Sequence, residues 1–145
     1  MKKVILYTQE HSKILPLDKE TTGNYKNYDA ISRAVVKLAE QIDADLIVAA
    51  TKTGATAEAI AAQRPNIPMV SVTSDPRVAG QLALTYANSA IVREYDENYA
   101  IDAAQDLKTS GYLKVPEGKD YLTVVLVSGL RDEKAGTNQI QIRRI

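Results

Sequence analysis

The stretch IVAATKTGATAEAI, residues 47–60, decides how this chain is organised. It opens with four apolar residues that are typical of a buried strand, and an alanine-rich run over 57–62 predicts a helix directly after it. Between them lies a polar corner, Thr51-Lys52-Thr53-Gly54-Ala55-Thr56. Because a strand that passes directly into a helix is the repeating unit of α/β folds, this corner bears on both the fold and the function.

Strand and helix patterns alternate on both sides of the corner. Apolar residues recur at helical spacing over 29–42, and further helices are predicted over about 57–64, from Pro76 onward and over about 98–110. Short apolar runs predict strands at 45–50, 69–72, 89–94 and 121–129. This alternation predicts a parallel sheet covered on both faces. The final segment, QIQIRRI, follows a connection too short for a helical crossover, so we expect an antiparallel last strand.

Three shorter segments carry local predictions. Thr73-Ser74-Asp75 precedes Pro76 and is typical of a helix start, and an inner helix face is predicted from Val78, Leu82, Ala83 and Tyr86. Residues 1–10 fit either a strand or the end of a helix, and residues 11–26 are polar and turn-rich, which indicates a linker. The single histidine, His11, falls in that linker, where no fixed partner is expected.

Composition limits the classes of function. The 145 residues suit one domain, and 18 basic against 18 acidic residues create no overall field for nucleic acid or for an anionic membrane. Cysteine is absent, which excludes disulfides, a thiolate nucleophile and cysteine metal sites. No run approaches the ~20 apolar residues of a membrane span. We expect a soluble, cytoplasmic protein with neither nucleic acid nor a membrane as its partner.

The corner has the parts of a phosphate cradle. Ligands of open α/β sheets bind beyond the carboxyl ends of strands, where helix N-termini present unpaired amides and about half a positive charge. Gly54 lets the backbone come close, Thr51, Thr53 and Thr56 carry hydroxyls, and Lys52 adds a full charge. The alternative is ordinary capping, in which Thr53 caps the helix and the other threonines bond locally. The segment matches neither GxxxxGK[ST] nor GxGxxG, so spacing alone leaves both interpretations open.

A second candidate site is the loop GLRDEKAGTN, residues 129–138, called the lid loop below. Its chemistry-bearing residues follow a buried strand and are Gly129, Arg131, Lys134, Gly136 and Thr137. Such a loop can fold over a ligand at the corner, or it can be a solvated hairpin connection. For Thr73-Ser74-Asp75 simple helix capping is favoured. Neither a metal-binding cluster nor a G-x-S-x-G nucleophile elbow is found, so no catalytic residue is predicted.

Four motifs in order resemble one family. They are TKTGATA at 51–57, RPNIPM at 64–69, VTSDP at 72–76 and the closing loop that ends in GTN at 136–138. Together they resemble the carboxy-terminal domain of pyruvate kinase, over about residues 29–145. The resemblance implies a three-layer α/β/α sandwich with a five-stranded mixed sheet whose last strand is antiparallel. Residues 1–28 would then be the end of an inter-domain helix plus a linker.

The resemblance also implies a role in regulation rather than chemistry. In that family phosphoryl transfer from phosphoenolpyruvate to ADP occurs in a (β/α)8 barrel with Mg and K ions, and the present chain is too short to contain such a barrel. The domain itself needs no cofactor. It carries in many members a site for a phosphorylated sugar or nucleotide effector, whose phosphate lies at the position of 51–56 under the loop at 129–138.

Departures from the family pattern narrow this expectation. Ala55 stands where several effector-binding members have arginine, and residues 95–120 lack the tryptophan and arginines that hold a second phosphate. A monophosphate is therefore expected rather than a bisphosphate. Family domains pair through their last strands, so we expect a homo-oligomer, at least a dimer, through NQIQIRRI.

Three hypotheses follow from the sequence. The preferred one is the regulatory, effector-binding domain of a pyruvate kinase, with the lid loop ordered by the ligand. A free-standing homologue that serves as a dimerisation module or as a small phosphate-ligand-binding protein is the alternative. A small independent enzyme at the same edge is the third, and the absence of a convincing base weighs against it.

Overall fold

The computed structural model describes residues 2–11, 27–96, 98–128 and 139–145. Within these ranges five helices and five strands follow one another in the order α1 (Lys2–His11), α2 (Asn27–Gln41), β1 (Leu46–Ala50), α3 (Ala55–Ala62), β2 (Met69–Thr73), α4 (Pro76–Leu82), β3 (Asn88–Val92), α5 (Tyr99–Thr109), β4 (Thr123–Ser128) and β5 (Gln139–Arg144). The predicted alternation of strand and helix is confirmed.

The strands form one five-stranded sheet in the order β3-β2-β1-β4-β5. β1 pairs in parallel with β2 and with β4, and β2 pairs in parallel with β3. β5 pairs antiparallel with β4, from Thr123 opposite Arg144 to Ser128 opposite Gln139. The predicted mixed sheet with an antiparallel last strand is therefore confirmed, and β4 is a central strand.

Two aliphatic cores cover the two faces of the sheet. On one face α2, α3 and α4 pack against alternate strand residues such as Ile47, Met69 and Val125. On the other face α5 packs against the intervening residues, including Val48, Val70 and Leu126. Because side chains of a strand alternate between faces, strands buried on both sides need continuous apolar runs, and all five residues of β1 are buried. The result is the predicted three-layer α/β/α sandwich.

The amino-terminal residues form a helix. α1 ends at His11, whose ring Nδ1 lies 2.8 Å from the carbonyl oxygen of Tyr7 and whose ring stacks on that of Tyr7. The expectation that His11 lies in a linker without a fixed partner is therefore wrong. Residues 12–26, predicted as the linker, lie outside the described residues.

Helix α4 begins as predicted but ends early. The Asp75 carboxylate accepts from the Arg77 backbone N–H at 2.8 Å, and Pro76 follows as the first helical residue. The helix ends at Leu82, and Ala83 is an exposed C-cap residue, so Ala83 and Tyr86 do not continue its inner face. The backbone instead turns into β3, where Asn88 Nδ2 donates to the Leu82 carbonyl oxygen at 3.0 Å.

Candidate functional site

The corner lies at the carboxyl end of β1, at the point where the chain order of the sheet changes direction. β2 lies on one side of β1 and β4 on the other, although these strands are far apart in sequence. Ala49 is opposite Val127, so β1 and β4 end at the same level. A crevice at such a switch point is the usual ligand position of an open α/β sheet.

Thr51 and Gly54 shape the turn itself. The Thr51 backbone N–H donates to the Val72 carbonyl oxygen at 3.0 Å, which extends the β1–β2 pairing by one residue. The buried Thr51 hydroxyl oxygen accepts from the Gly54 backbone N–H at 2.9 Å. This bond closes the turn within three residues, so the first task of Thr51 is to hold the corner in shape.

Gly54 is the N-cap residue of α3 and has a left-handed backbone, with φ of 88° and ψ of −19°. A side chain at this φ is strained, because the Cβ of an L-residue then crowds the neighbouring carbonyl. A Cβ there would also stand 3.4 Å from Leu82 Cδ2 and 3.5 Å from Val78 Cγ1. One part of the capping alternative is therefore wrong: Thr53 does not cap the helix, because α3 begins at Ala55, two residues earlier than predicted, directly after Gly54, which has no side chain to serve as a cap. Its other part, local bonding of the remaining threonines, is confirmed for Thr51, whose hydroxyl oxygen accepts from the Gly54 N–H.

The remaining residues of the corner divide into two groups. Lys52 and Thr53 are exposed, whereas Thr56 is buried in the first turn of α3 and Ala55 is half-buried beside it. The first amides of a helix have no acceptor one turn earlier within the helix. Exposed Lys52 and Thr53 therefore flank a helix start whose amides favour an anion by orientation and by charge.

The lid-loop residues Gly129, Arg131, Lys134, Gly136 and Thr137 lie outside the described residues. The structure describes the two residues that flank the loop. Ser128 and Gln139 are opposite each other in the β4–β5 pair, with the Ser128 hydroxyl 3.4 Å from Gln139 Oε1. Since β4 ends level with β1, the loop leaves and re-enters the sheet at the edge where the corner lies.

The polar residues Thr73 and Asp75, at the end of β2, take part in hydrogen bonds that form the start of α4. The Thr73 hydroxyl oxygen accepts from the Asp75 backbone N–H at 3.3 Å, and Asp75 in turn caps α4. Hydrogen bonds from Arg77 hold the pKa of the Asp75 carboxyl below its usual range. The capping interpretation of Thr73-Ser74-Asp75 is thus confirmed.

One aromatic cluster beside the corner was missed by the sequence analysis. Lys52 Nζ lies 5.8 Å from the centre of the Tyr95 ring, and the Tyr95 and Tyr99 rings have centres 5.0 Å apart. Burial raises the pKa of Tyr99 to about 12, with a smaller contribution from Tyr95. The available signal was position: Tyr95 follows β3, and the carboxyl ends of parallel strands meet at one edge of a sheet.

The residues that the structure describes bring together no group of three or more His, Asp or Glu side chains that could hold a metal ion. No helix in the described ranges is long and apolar enough to cross a bilayer.

Comparisons with known proteins point to one family. The family model for the pyruvate kinase alpha/beta domain matches residues 29–143. The chain is 28% identical over 127 residues to a pyruvate kinase of Clostridium acetobutylicum. The aligned region covers 83% of this chain but only 26% of that protein. The chain is also 30% identical over 118 residues to a pyruvate kinase of Eimeria tenella, and this aligned region covers 77% of the chain and 21% of that protein.

A solved structure gives the same result for the fold. A crystal structure of a pyruvate kinase from Cryptosporidium parvum superimposes with a TM-score of 0.70 at 24% identity, over 99% of this chain and 26% of that one. The chain spans about a quarter of the length of these relatives. Its fold, its switch-point corner and the match over 29–143 together lead to one conclusion: the chain belongs to the pyruvate kinase alpha/beta domain family.

Proposed function

We propose that this chain is the regulatory, effector-binding and subunit-assembly domain of a cytoplasmic pyruvate kinase. The reaction of such an enzyme, phosphoenolpyruvate and ADP to pyruvate and ATP, with its Mg and K ions, would be carried out by a barrel outside these residues. In this proposal α1 and residues 12–28 connect the barrel to the domain. The family match and the fold support the proposal, and the observation that carries it is the left-handed Gly54 turn into α3 at the switch point.

The ligand is a metabolite with one phosphate group, held at residues 51–56. A helix N-terminus offers roughly half a unit of positive charge, and amides that point outward can donate to phosphate oxygens. Exposed Lys52 adds a full charge and exposed Thr53 a hydroxyl, while the Thr51–Gly54 hydrogen bond fixes the backbone around them. Each element supplies a donor, and none is an acid or a base placed for chemistry, which favours binding over turnover.

Regulation needs a second element besides the ligand site. A ligand shifts an equilibrium only by its different affinity for two states. In our proposal the lid loop closes over the phosphate, and β5, which begins directly after that loop, transmits the change to a paired subunit. The proposal thus connects the corner to the assembly interface through one short segment.

The effector site is tested by calorimetry on a panel of sugar monophosphates, nucleoside monophosphates and inorganic phosphate. Lys52→Ala removes one charged donor, which contributes about 1.5–3 kcal/mol, so we expect affinity to fall about 10- to 150-fold. Thr53→Ala is expected to weaken binding less, because its hydroxyl is neutral. Lys37→Ala, at an exposed lysine of α2, is the matched control. Unchanged affinity in Lys52→Ala would show that the site lies elsewhere.

The assembly role concerns β5, the last strand of the sheet order. β5 pairs with β4 on one side, and its alternating residues include Ile142, which is 52% exposed. An edge strand with an exposed apolar residue favours pairing with a second copy. We expect sedimentation to show a dimer, which Ile142→Lys converts to monomers. Leu84→Lys, at an exposed residue before the opposite edge strand β3, should leave the dimer intact.

The alternative functions give different results in the same experiments. A pure dimerisation module would form the Ile142-dependent dimer and bind none of the phosphorylated compounds. A small independent enzyme would turn over a phosphorylated substrate without any barrel domain present. A dimer that binds a monophosphate without turnover is the result that the regulatory proposal requires.

A further inference from the structure

Tyr95 presents an aromatic ring at the carboxyl edge of the sheet. It follows β3 by three residues and is 44% exposed, although its neighbour Tyr99 is buried at the start of α5. The two rings are tilted by 50° with centres 5.0 Å apart, a geometry within the favourable range for aromatic pairs. Tyr99 thus supports Tyr95 from the core side, and the Tyr95 ring remains partly open to solvent.

Lys52 connects this ring to the corner. Its backbone belongs to the corner, and its ammonium lies 5.8 Å from the centre of the Tyr95 ring. A cation–π contact at that distance and exposure is weak compared with an ion pair to a phosphate. A phosphate at the corner would therefore draw the ammonium away and free the part of the ring that it approaches. The Lys52 side chain thus reaches from the corner toward the Tyr95 ring, which places the ring at the same edge of the sheet as the corner.

The charges around Tyr95 favour a neutral group over a second phosphate. Glu94 and Asp96 flank Tyr95 and are exposed, and the Asp96 carboxylate accepts from the Asn98 backbone N–H. The nearby Arg93 is paired with the Asp106 carboxylate. Two carboxylates repel an anion, whereas a nucleobase carries no charge and has a flat face that stacks on an aromatic ring.

We infer that Tyr95 is a specificity-determining residue that gives the corner a preference for a nucleoside monophosphate over a sugar phosphate. The inference rests on the proposed effector site and adds the class of ligand. The phosphate occupies the α3 N-terminus and Lys52, and the base stacks on Tyr95 with Tyr99 behind it. Because every nucleobase has a flat face, stacking selects the presence of a base rather than its identity.

The test compares adenosine monophosphate with ribose phosphate by titration calorimetry on the intact chain. Base–aromatic stacking predicts that the nucleotide binds about 5- to 150-fold more tightly. Tyr95→Leu should remove this advantage and leave ribose phosphate affinity unchanged, which shows that the corner is intact. Tyr95→Phe keeps the ring and should keep the advantage. Tyr112→Leu is the matched control, because Tyr112 is also exposed but its hydroxyl contacts Ser89 near the opposite edge of the sheet.

The outcomes separate this inference from the proposed function. Equal affinity for both compounds, with no effect of Tyr95→Leu on either, overturns the role of Tyr95 and leaves the phosphate site standing. A nucleotide advantage that survives in Tyr95→Leu also overturns it. If neither compound nor inorganic phosphate binds, the effector site itself is refuted and the inference falls with it.

Discussion

Replacement of Gly54 by alanine tests how the corner is built. The backbone at Gly54 has φ of 88°, which an alanine adopts at a cost of about 1–3 kcal/mol. The new Cβ would stand 3.4 Å from Leu82 Cδ2, an ordinary contact that adds little to this cost. The magnitude therefore comes from backbone strain, and we expect the free energy of unfolding to fall by about 1–3 kcal/mol and the Tm by roughly 3–10 °C.

Gly80→Ala is the matched control, and it should raise the free energy of unfolding where Gly54→Ala lowers it. Gly80 lies inside α4, and a Cβ placed there meets no atom within 4 Å. Alanine is favoured over glycine in a helix by about 0.5–1 kcal/mol, so this variant should be slightly more stable than the wild type.

Urea unfolding followed by circular dichroism, at one fixed protein concentration, measures both glycine variants. The concentration must be held constant because any dimerisation contributes to apparent stability. If Gly54→Ala is as stable as the wild type, or if the two alanine variants behave alike, the left-handed turn is not the constraint that we describe.

Three further predictions concern the surroundings of the corner. Thr51→Val should lower the free energy of unfolding by about 1–3 kcal/mol because it leaves the Gly54 N–H buried without its acceptor, whereas Thr51→Ser should restore most of the loss. Asp45→Ala should destabilise by a similar amount, measured by urea unfolding, because it removes the carboxylate that accepts from the Thr123 backbone N–H at 2.7 Å; an unchanged midpoint would contradict this. Between pH 10 and pH 12 the wild type should lose the stability that the raised pKa of Tyr99 contributes, because the unfolded chain releases the Tyr99 proton more readily than the folded one. Tyr99→Phe should lack that part of the loss, and an identical pH profile for both proteins would refute the assignment.

Much of the fold could be predicted from sequence because its determinants are local. Continuous apolar runs mark strands buried on both faces, and Asp75-Pro76 marks the start of α4 by its chemistry. The antiparallel β5 followed from the shortness of its connection. These signals lie within a few residues of the element that they predict.

The details of the site depended on contacts between distant residues. By preference alone threonine is a better N-cap residue than glycine, which favours Thr53. In the structure Gly54 is the N-cap residue instead, because the Thr51–Gly54 hydrogen bond and the left-handed backbone of Gly54 place the start of α3 at Ala55. The position of Tyr95 beside Lys52 depends on the strand order, which brings the ends of β1 and β3 to one edge on either side of β2. Tertiary packing, and no local pattern, determines that order.

The central claim is that the backbone amides at the start of α3 bind a phosphate group. Amide chemical shifts of isotope-labelled protein, titrated with ribose phosphate, test it most directly. Our account predicts saturable shifts that are largest at Ala55, the first residue of α3, and small at the amino-terminal ends of the strands. If the Ala55 amide stays unmoved at saturating ligand, or if the largest shifts fall at the opposite edge of the sheet, the account is contradicted.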